Sequence, residues 1–244
     1  MTDRVDQPIV IMGGLLSPAF MYRGMQRALC DIAGRPVWVV DTHMYDWLPV
    51  ISQHGWLHLL LMLQRTVQQA LTQTGAGHVI LVGHSMGGLL GRLYLSREPF
   101  KGYRFNGCEH VSQLITLGSP HHIRTGFQRE RLLSRWLEER LPGAAYAPQV
   151  RYSAVAGKYI QGNAGGSFTE RRAFRVYRRI WNRGAVVGDG LIPLPSALLG
   201  GAQHIILDGV HHHSLSRSTW YGSGSVIPEW WEKVLINTPE QGPV

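Results

Sequence analysis

Gly83-His84-Ser85-Met86-Gly87-Gly88 follows directly on His78-Val79-Ile80-Leu81-Val82 and runs into Leu89–Ser96. The stretch before it is short, apolar and β-branched, which reads as a buried strand, and the stretch after it has helical spacing. The hexapeptide therefore occupies a strand-to-helix turn. Gly-x-Ser-x-Gly makes that turn sharp and presents the serine hydroxyl at the end of the sheet. The glycines are needed because the turn brings backbone segments too close for side chains. The strained backbone of the serine is tolerated because the turn is held from both sides. The helix that follows aims its N-terminus at the hydroxyl, which favours developing negative charge there. Ser85 is thus a candidate nucleophile. A glycine-rich turn without chemistry is the plainer reading, and the flanking strand and helix count against it.

Outward from this turn, strands and helices alternate. Pro8–Met12, Val37–Val40, Val111–Leu117, Gln149–Ala156 and His204–Leu207 read as further strands, and Ala19–Ala33, Trp56–Leu71 and Val226–Leu235 as helices. Strands that are apolar throughout and separated by helices predict a parallel sheet covered on both faces. The expectation is an α/β fold of about six mostly parallel strands, with residues 1–244 forming one domain. Two stretches break the rhythm, near 121–148 and 158–187, and are expected as cap or lid insertions. No repeat or low-complexity tract appears.

Further motifs carry a resemblance. Gly83–Gly88 after a buried strand resembles the lipase and esterase branch of the α/β-hydrolases. Thr116-Leu117-Gly118-Ser119-Pro120-His121 is similar to the Leu-Gly-Thr-Pro-His segment of those lipases. Gly188-Asp189-Gly190-Leu191-Ile192-Pro193 is similar to their acid loop, and Gly209-Val210-His211-His212 to their Gly-Val-Gly-His loop. Asp46-Trp47-Leu48 and Trp220-Tyr221-Gly222 resemble hydrolases predicted in cyanobacteria and plastids. The resemblance implies the α/β-hydrolase fold and a catalytic triad.

A serine hydroxyl needs a base to take its proton, and the base needs a carboxylate to hold its tautomer. In this fold the chain order is Ser, then Asp or Glu, then His. His110 precedes its strand, His204 lies inside one, and His121 and His122 come before every suitable acid. That leaves His211, His212 and His213, and alignment to Gly-Val-Gly-His selects His212, with its two neighbours as alternatives. A polar surface loop is the bland reading of this triplet. Adjacent histidines diverge and make a poor metal site, so no metal is expected. Between Ser85 and His212 lie Asp189 and Asp208. Asp208 ends the strand that carries the histidine loop. Asp189 sits in Gly-Asp-Gly, where a carboxylate projects without steric cost, and is the expected acid. The oxyanion that forms during acyl transfer needs backbone N–H donors. Met86, after the nucleophile, and Leu15, in Met12-Gly13-Gly14-Leu15-Leu16, are the expected pair, with Gly14 the neighbouring candidate.

Composition sets the remaining bounds. Hydrophobic residues make up 44% of 244, enough for a sizeable core. Cys30 and Cys108 are the only cysteines and are read as buried apolar residues, in neither a disulfide framework nor a metal spacing. Residues 1–7 are polar and carry Asp3 and Asp6, without the basic start and apolar run of a secretory leader. The longest apolar run is Leu59–Leu63, far short of a membrane span, so a soluble, cytoplasmic protein is expected. The net charge of +8 is local: residues 121–183 hold twelve arginines and Lys158 against four glutamates, a net of +9. No nucleic-acid recognition motif accompanies it, so nucleic acid is not an expected partner, whereas an anionic membrane surface or anionic substrate is compatible with it. A solvated helix face with internal Arg–Glu pairs is the bland alternative.

The expected function is hydrolysis of carboxylic esters, fatty-acyl or lipid esters by resemblance, through an acyl-enzyme on Ser85 and without a cofactor. Leu15, Leu16, Phe20, Phe127, Leu132, Trp136 and Leu137 suit an acyl groove or, equally, a cap core. An acyltransferase or thioesterase would use the same triad. A binding protein on an inactive scaffold is the reading from a different class.

Overall fold

The computed structural model describes residues 7–51, 55–126, 128–213 and 219–236. Six parallel strands form one sheet: β1 (Ile9–Met12), β2 (Val37–Val39), β3 (Val79–His84), β4 (Val111–Leu117), β5 (Arg151–Lys158) and, after a separate antiparallel pair β6 (Ile160–Gln161) and β7 (Val187–Gly188), the edge strand β8 (Gln203–Asp208). Their spatial order is β2-β1-β3-β4-β5-β8. All six fall on the runs read from the sequence. The helices are α1 (Arg23–Ala33), α2 (Gly55–Thr74), α3 (Met86–Leu95), α4 (Gln128–Arg140), α5 (Phe168–Trp181), the single turn α6 (Leu194–Ala197) and α7 (Ile227–Ile236).

The two-residue period of a strand divides the core into two layers. Val10, Met12, Val79, Leu81 and Ala154 face α2, α3 and α4. Ile9, Ile11, Ile80, Val82 and Val155 face α1 and α7 on the other side. β1 and β3 are buried at every position, as central strands covered on both faces must be. β8 alternates instead, with Ile205 and Leu207 buried and Ile206 exposed, because it is an edge.

The two stretches outside the strand–helix rhythm differ in what they touch. α4 buries Leu133 and Leu137 in the main core, and Leu141 follows its last turn inward. Arg92 of α3, itself buried, donates from Nη2 to the Leu141 carbonyl at 2.7 Å and so satisfies a group at the end of α4. Leu137 is therefore core rather than mouth, Trp136 packs against that core, and Phe127 lies outside the described residues. α5 is closed by a Ser167–Glu170 capping box and buries only Ala173, Tyr177 and Ile180. Cys108 is buried as expected, but Cys30 is only partly so, since it stands at the rim of α1. Among the described residues no helix is long and apolar enough to cross a membrane.

The chain runs from β1 outward to β2 and returns on the other side of β1 as β3. The C-terminal ends of β1 and β3 thus flank the point where the strand order reverses. In open α/β sheets that crevice is where ligands bind.

Candidate active site

Ser85 stands between β3 and α3 with φ 55° and ψ −124°, a conformation that costs a non-glycine residue of order 1–3 kcal/mol. The neighbouring chain holds it there: Ser85 N–H donates to the Leu117 carbonyl at 2.9 Å, and its own carbonyl accepts from Gly88 N–H at 3.1 Å. A Cβ on Gly83 would come within 2.6 Å of the Gly88 backbone, so the elbow closes only with glycine there.

Asp189 follows β7, and its loop is fixed from several sides. Asp189 Oδ1 accepts the N–H groups of Leu191 at 3.0 Å and Ile192 at 2.7 Å. Tyr177 of α5 accepts Gly190 N–H at 2.8 Å and steadies the same loop. His212 follows β8. Its backbone N–H donates to the Asp189 carbonyl at 3.0 Å, so acid and base loops are tied through main chain as well as side chain.

The three side chains meet. His212 Nδ1 lies 2.7 Å from Asp189 Oδ2 and His212 Nε2 lies 3.0 Å from Ser85 Oγ. Exposure is 2% for both His212 and Asp189 and 8% for Ser85, so all three are shielded, Ser85 the least. A proton on Nδ1 directed to Asp189 leaves the Nε2 lone pair facing the Ser85 hydroxyl. Neither neighbour of His212 reaches Ser85. His211 lies against the ring of Tyr159. His213 meets the His212 ring edge-on, and its partial burial, with His212 and Arg172 close by, pushes its pKa down to about 4. Asp208 points away, 82% exposed and paired with Lys158 at 3.2 Å.

The loop after β1 packs on the nucleophile: a Cβ on Gly14 would lie 2.9 Å from Ser85 Cβ. Gly14 N–H is already engaged, donating to Tyr22 Oη at 2.8 Å. Leu15, the expected donor, follows Gly14 in this loop. Met86 N–H begins α3, at the positive end of its dipole.

Three residues that sequence reasoning passed over complete the site. Tyr221 Oη donates to Asp189 Oδ2 at 2.9 Å and accepts Gly157 N–H at 2.7 Å, and burial beside that carboxylate holds its own pKa well above 10. His84 Nε2 donates to the His212 carbonyl at 3.0 Å, and His84 Nδ1 lies 2.8 Å from Tyr22 Oη. Complete burial, with His212 and His213 beside it, holds His84 neutral. One arrangement of protons satisfies every contact: His84 carries its proton on Nε2, Tyr22 donates to Nδ1, and Gly14 N–H donates to Tyr22. A continuous chain of hydrogen bonds therefore links the loop after β1 to the loop after β8. His84 was visible inside the hexapeptide, but nothing local announces a partner 128 residues away.

Among the described residues no group of three or more His, Cys, Asp or Glu is arranged to hold a metal ion. A cavity of about 330 Å³ opens beside Asp189 and His212, lined also by Tyr159, Thr169, Arg172 and His213.

A family model described as a PGAP1-like alpha/beta domain matches residues 56–134, which include β3, the Ser85 turn and α3. A protein described as a cell surface hydrolase from Lactobacillus plantarum superposes with a TM-score of 0.54 at 13% identity, covering 95% of this chain and 92% of that one. A protein described as a hydrolase of the alpha/beta superfamily from Xanthomonas campestris does so with a TM-score of 0.51 at 15% identity, covering 94% and 99%. A pyrethroid hydrolase matches a smaller part, 50% of this chain and 43% of that one, at 21% identity and a TM-score of 0.37.

Proposed function

We propose that this chain, which has the α/β-hydrolase fold, is a serine hydrolase that cleaves carboxylic esters through an acyl-enzyme on Ser85. The observation that carries the reading is the placement of one buried imidazole 3.0 Å from the Ser85 hydroxyl and 2.7 Å from the Asp189 carboxylate.

Ser85 Oγ attacks the ester carbonyl carbon while His212 Nε2 takes its proton. The carbonyl oxygen becomes an oxyanion, received by the N–H groups of Leu15 and Met86. Asp189 stays ionised and stabilises the imidazolium across the Nδ1 hydrogen bond. Collapse breaks the ester C–O bond, and the alcohol leaves with the proton from His212. Water then repeats the sequence on the acyl-enzyme, releasing the acid and restoring Ser85. No step calls for a cofactor.

Fatty-acyl or lipid esters are the substrates we favour. Leu16, in the loop after β1, and Phe20, shortly beyond it, are 49% and 64% exposed and offer apolar surface. Transfer of the acyl group to an alcohol or from a thioester uses the same steps with another acceptor or leaving group. Initial rates on p-nitrophenyl esters from acetate to palmitate test the reading: turnover that rises with chain length and is lost in Ser85→Ala supports it. Absence of turnover throughout, with no labelling of Ser85 by a fluorophosphonate, rejects it. The exposed arginines of α5 also support contact with an anionic membrane. Salt-sensitive co-sedimentation with anionic but not neutral vesicles tests that contact.

A further inference from the structure

We infer that the cavity between α5 and the Asp189–His212 pair receives the alcohol half of the ester, and that Arg172 selects alcohols bearing a carboxylate or phosphate. The inference rests on the ester-hydrolase reading above and names its substrate class.

Position comes first. The proton that His212 takes from Ser85 must reach the leaving oxygen, so the alcohol half sits on the His212 side of the nucleophile. The oxyanion donors belong to different elements, the loop after β1 and the start of α3. The cavity of about 330 Å³ borders His212, Asp189 and Gly190 and is walled by Tyr159, Ile160 and Leu191. That volume suits a small ring or headgroup, at the low end of ligand sites.

Charge comes second. Asp189 is the only carboxylate in the lining among the described residues, and its two oxygens already accept four hydrogen bonds, from Leu191, Ile192, His212 and Tyr221. Among the described residues Arg172 is the only permanently charged cation there, and it makes no ion pair with any of them. The nearest competitor on its own helix, Glu170, is turned back to accept Ser167 N–H at 2.6 Å as part of the capping box. Thr169 offers a hydroxyl on the same wall. The His213 imidazole, kept neutral by its surroundings, adds polarity without competing for the anion's charge. A guanidinium facing a cavity without an available carboxylate matches a planar or tetrahedral oxyanion by its fork of donors.

A carboxylate and a phosphate share this chemistry, and three acetate esters separate them from neutral alcohols: 4-acetoxybenzoate, 4-acetoxyphenyl phosphate and the uncharged 4-acetoxybenzamide. In Arg172→Gln, kcat/KM should fall about tenfold for the two anions, mainly through KM, and stay within twofold for the amide. Arg172→Lys should recover part of the loss, and 0.5 M salt should narrow the preference of the unaltered protein. Loss on one anion alone assigns the group as carboxylate or phosphate. Equal loss on all three esters, or no loss on any, overturns the inference. So does a loss confined to the monophenyl ester of succinate, whose charge lies on the acyl half. Calorimetric binding of 4-hydroxybenzoate against 4-hydroxybenzamide needs no turnover. A preference for the carboxylate that disappears in Arg172→Gln supports the subsite even if every ester resists cleavage, a result that would reject the hydrolase reading alone. Equal binding of the two overturns the subsite.

Discussion

The hydroxyl of Tyr221 donates to Asp189 Oδ2 at 2.9 Å, the same oxygen that lies 2.7 Å from His212 Nδ1. Asp189 therefore holds the base through an oxygen that is itself held. Because Tyr221 also accepts Gly157 N–H, removing its hydroxyl leaves a buried donor of β5 without a partner. An unsatisfied buried group costs about 1–3 kcal/mol. Tyr221→Phe should lower stability by that amount in chemical denaturation and lower kcat/KM on p-nitrophenyl acetate about tenfold. Unchanged kcat/KM in a measurably destabilised variant would make Tyr221 a packing residue only.

Ser85 combines two properties that a substitution pair separates. It carries the candidate nucleophile, and its φ of 55° is in the region that favours glycine. Ser85→Ala and Ser85→Gly should both lose esterase activity by several orders of magnitude, because the three side chains act as a unit. Ser85→Gly should nonetheless be more stable than Ser85→Ala by about 1 kcal/mol, as the strain is released. Near-normal turnover in either folded variant would remove Ser85 from the mechanism.

The three adjacent histidines should separate on substitution. His212→Ala should match Ser85→Ala in kcat. His211→Ala and His213→Ala should keep at least about a tenth of the activity on a neutral ester, since neither ring reaches Ser85 Oγ and only His212 carries the 3.0 Å contact. Comparable kcat values for the three variants would reject His212 as the base.

Much of this was legible in the sequence because it is written in short-range patterns. Apolar β-branched runs located all six strands, and the glycine spacing located the Ser85 turn. His212 and Asp189 were reached through chain order and loop resemblance, and the structure places them in contact. What escaped is long-range. Tyr221 meets an aspartate 32 residues earlier and His84 meets a carbonyl 128 residues later, separations that no local period encodes. Leu137 was read equally as groove or cap core, because an amphipathic pattern tells that a helix has a buried face and not which layer receives it; it lies in the core. The antiparallel pair of β6 and β7 has two residues per strand, too few to show an alternation.

Acid should destabilise the protein well before its carboxylates titrate. His84 and His121 are fully enclosed, and His213 is partly so. Burial is the largest influence on each, and it lowers all three pKa values, that of His213 to about 4. In the unfolded chain the same rings take up protons near pH 6.5. Below that pH the unfolded state binds protons that the native state refuses, so stability present above pH 6.5 is lost as pH falls. For a fully buried ring the slope approaches about 1.4 kcal/mol per pH unit. His213 stops contributing near its native value of about 4, while His84 and His121, with pKa values well below 6.5, continue. Asp46 adds to the loss only at lower pH: burial would raise its pKa, but the His43 N–H and the His58 ring outweigh that and lower it from 3.8. Urea midpoints at pH 7.5, 6.5, 5.5 and 4.5 should therefore dip slightly between the first two and fall steadily at the last two. His121 lies outside the Ser85–His212–Asp189 contacts, its Nε2 3.0 Å from Thr116 Oγ1. His121→Asn should flatten the acid limb by about one proton. Stability that holds level from pH 6.5 to 4.5, or an acid limb equally steep in His121→Asn, would show that these rings do not control it.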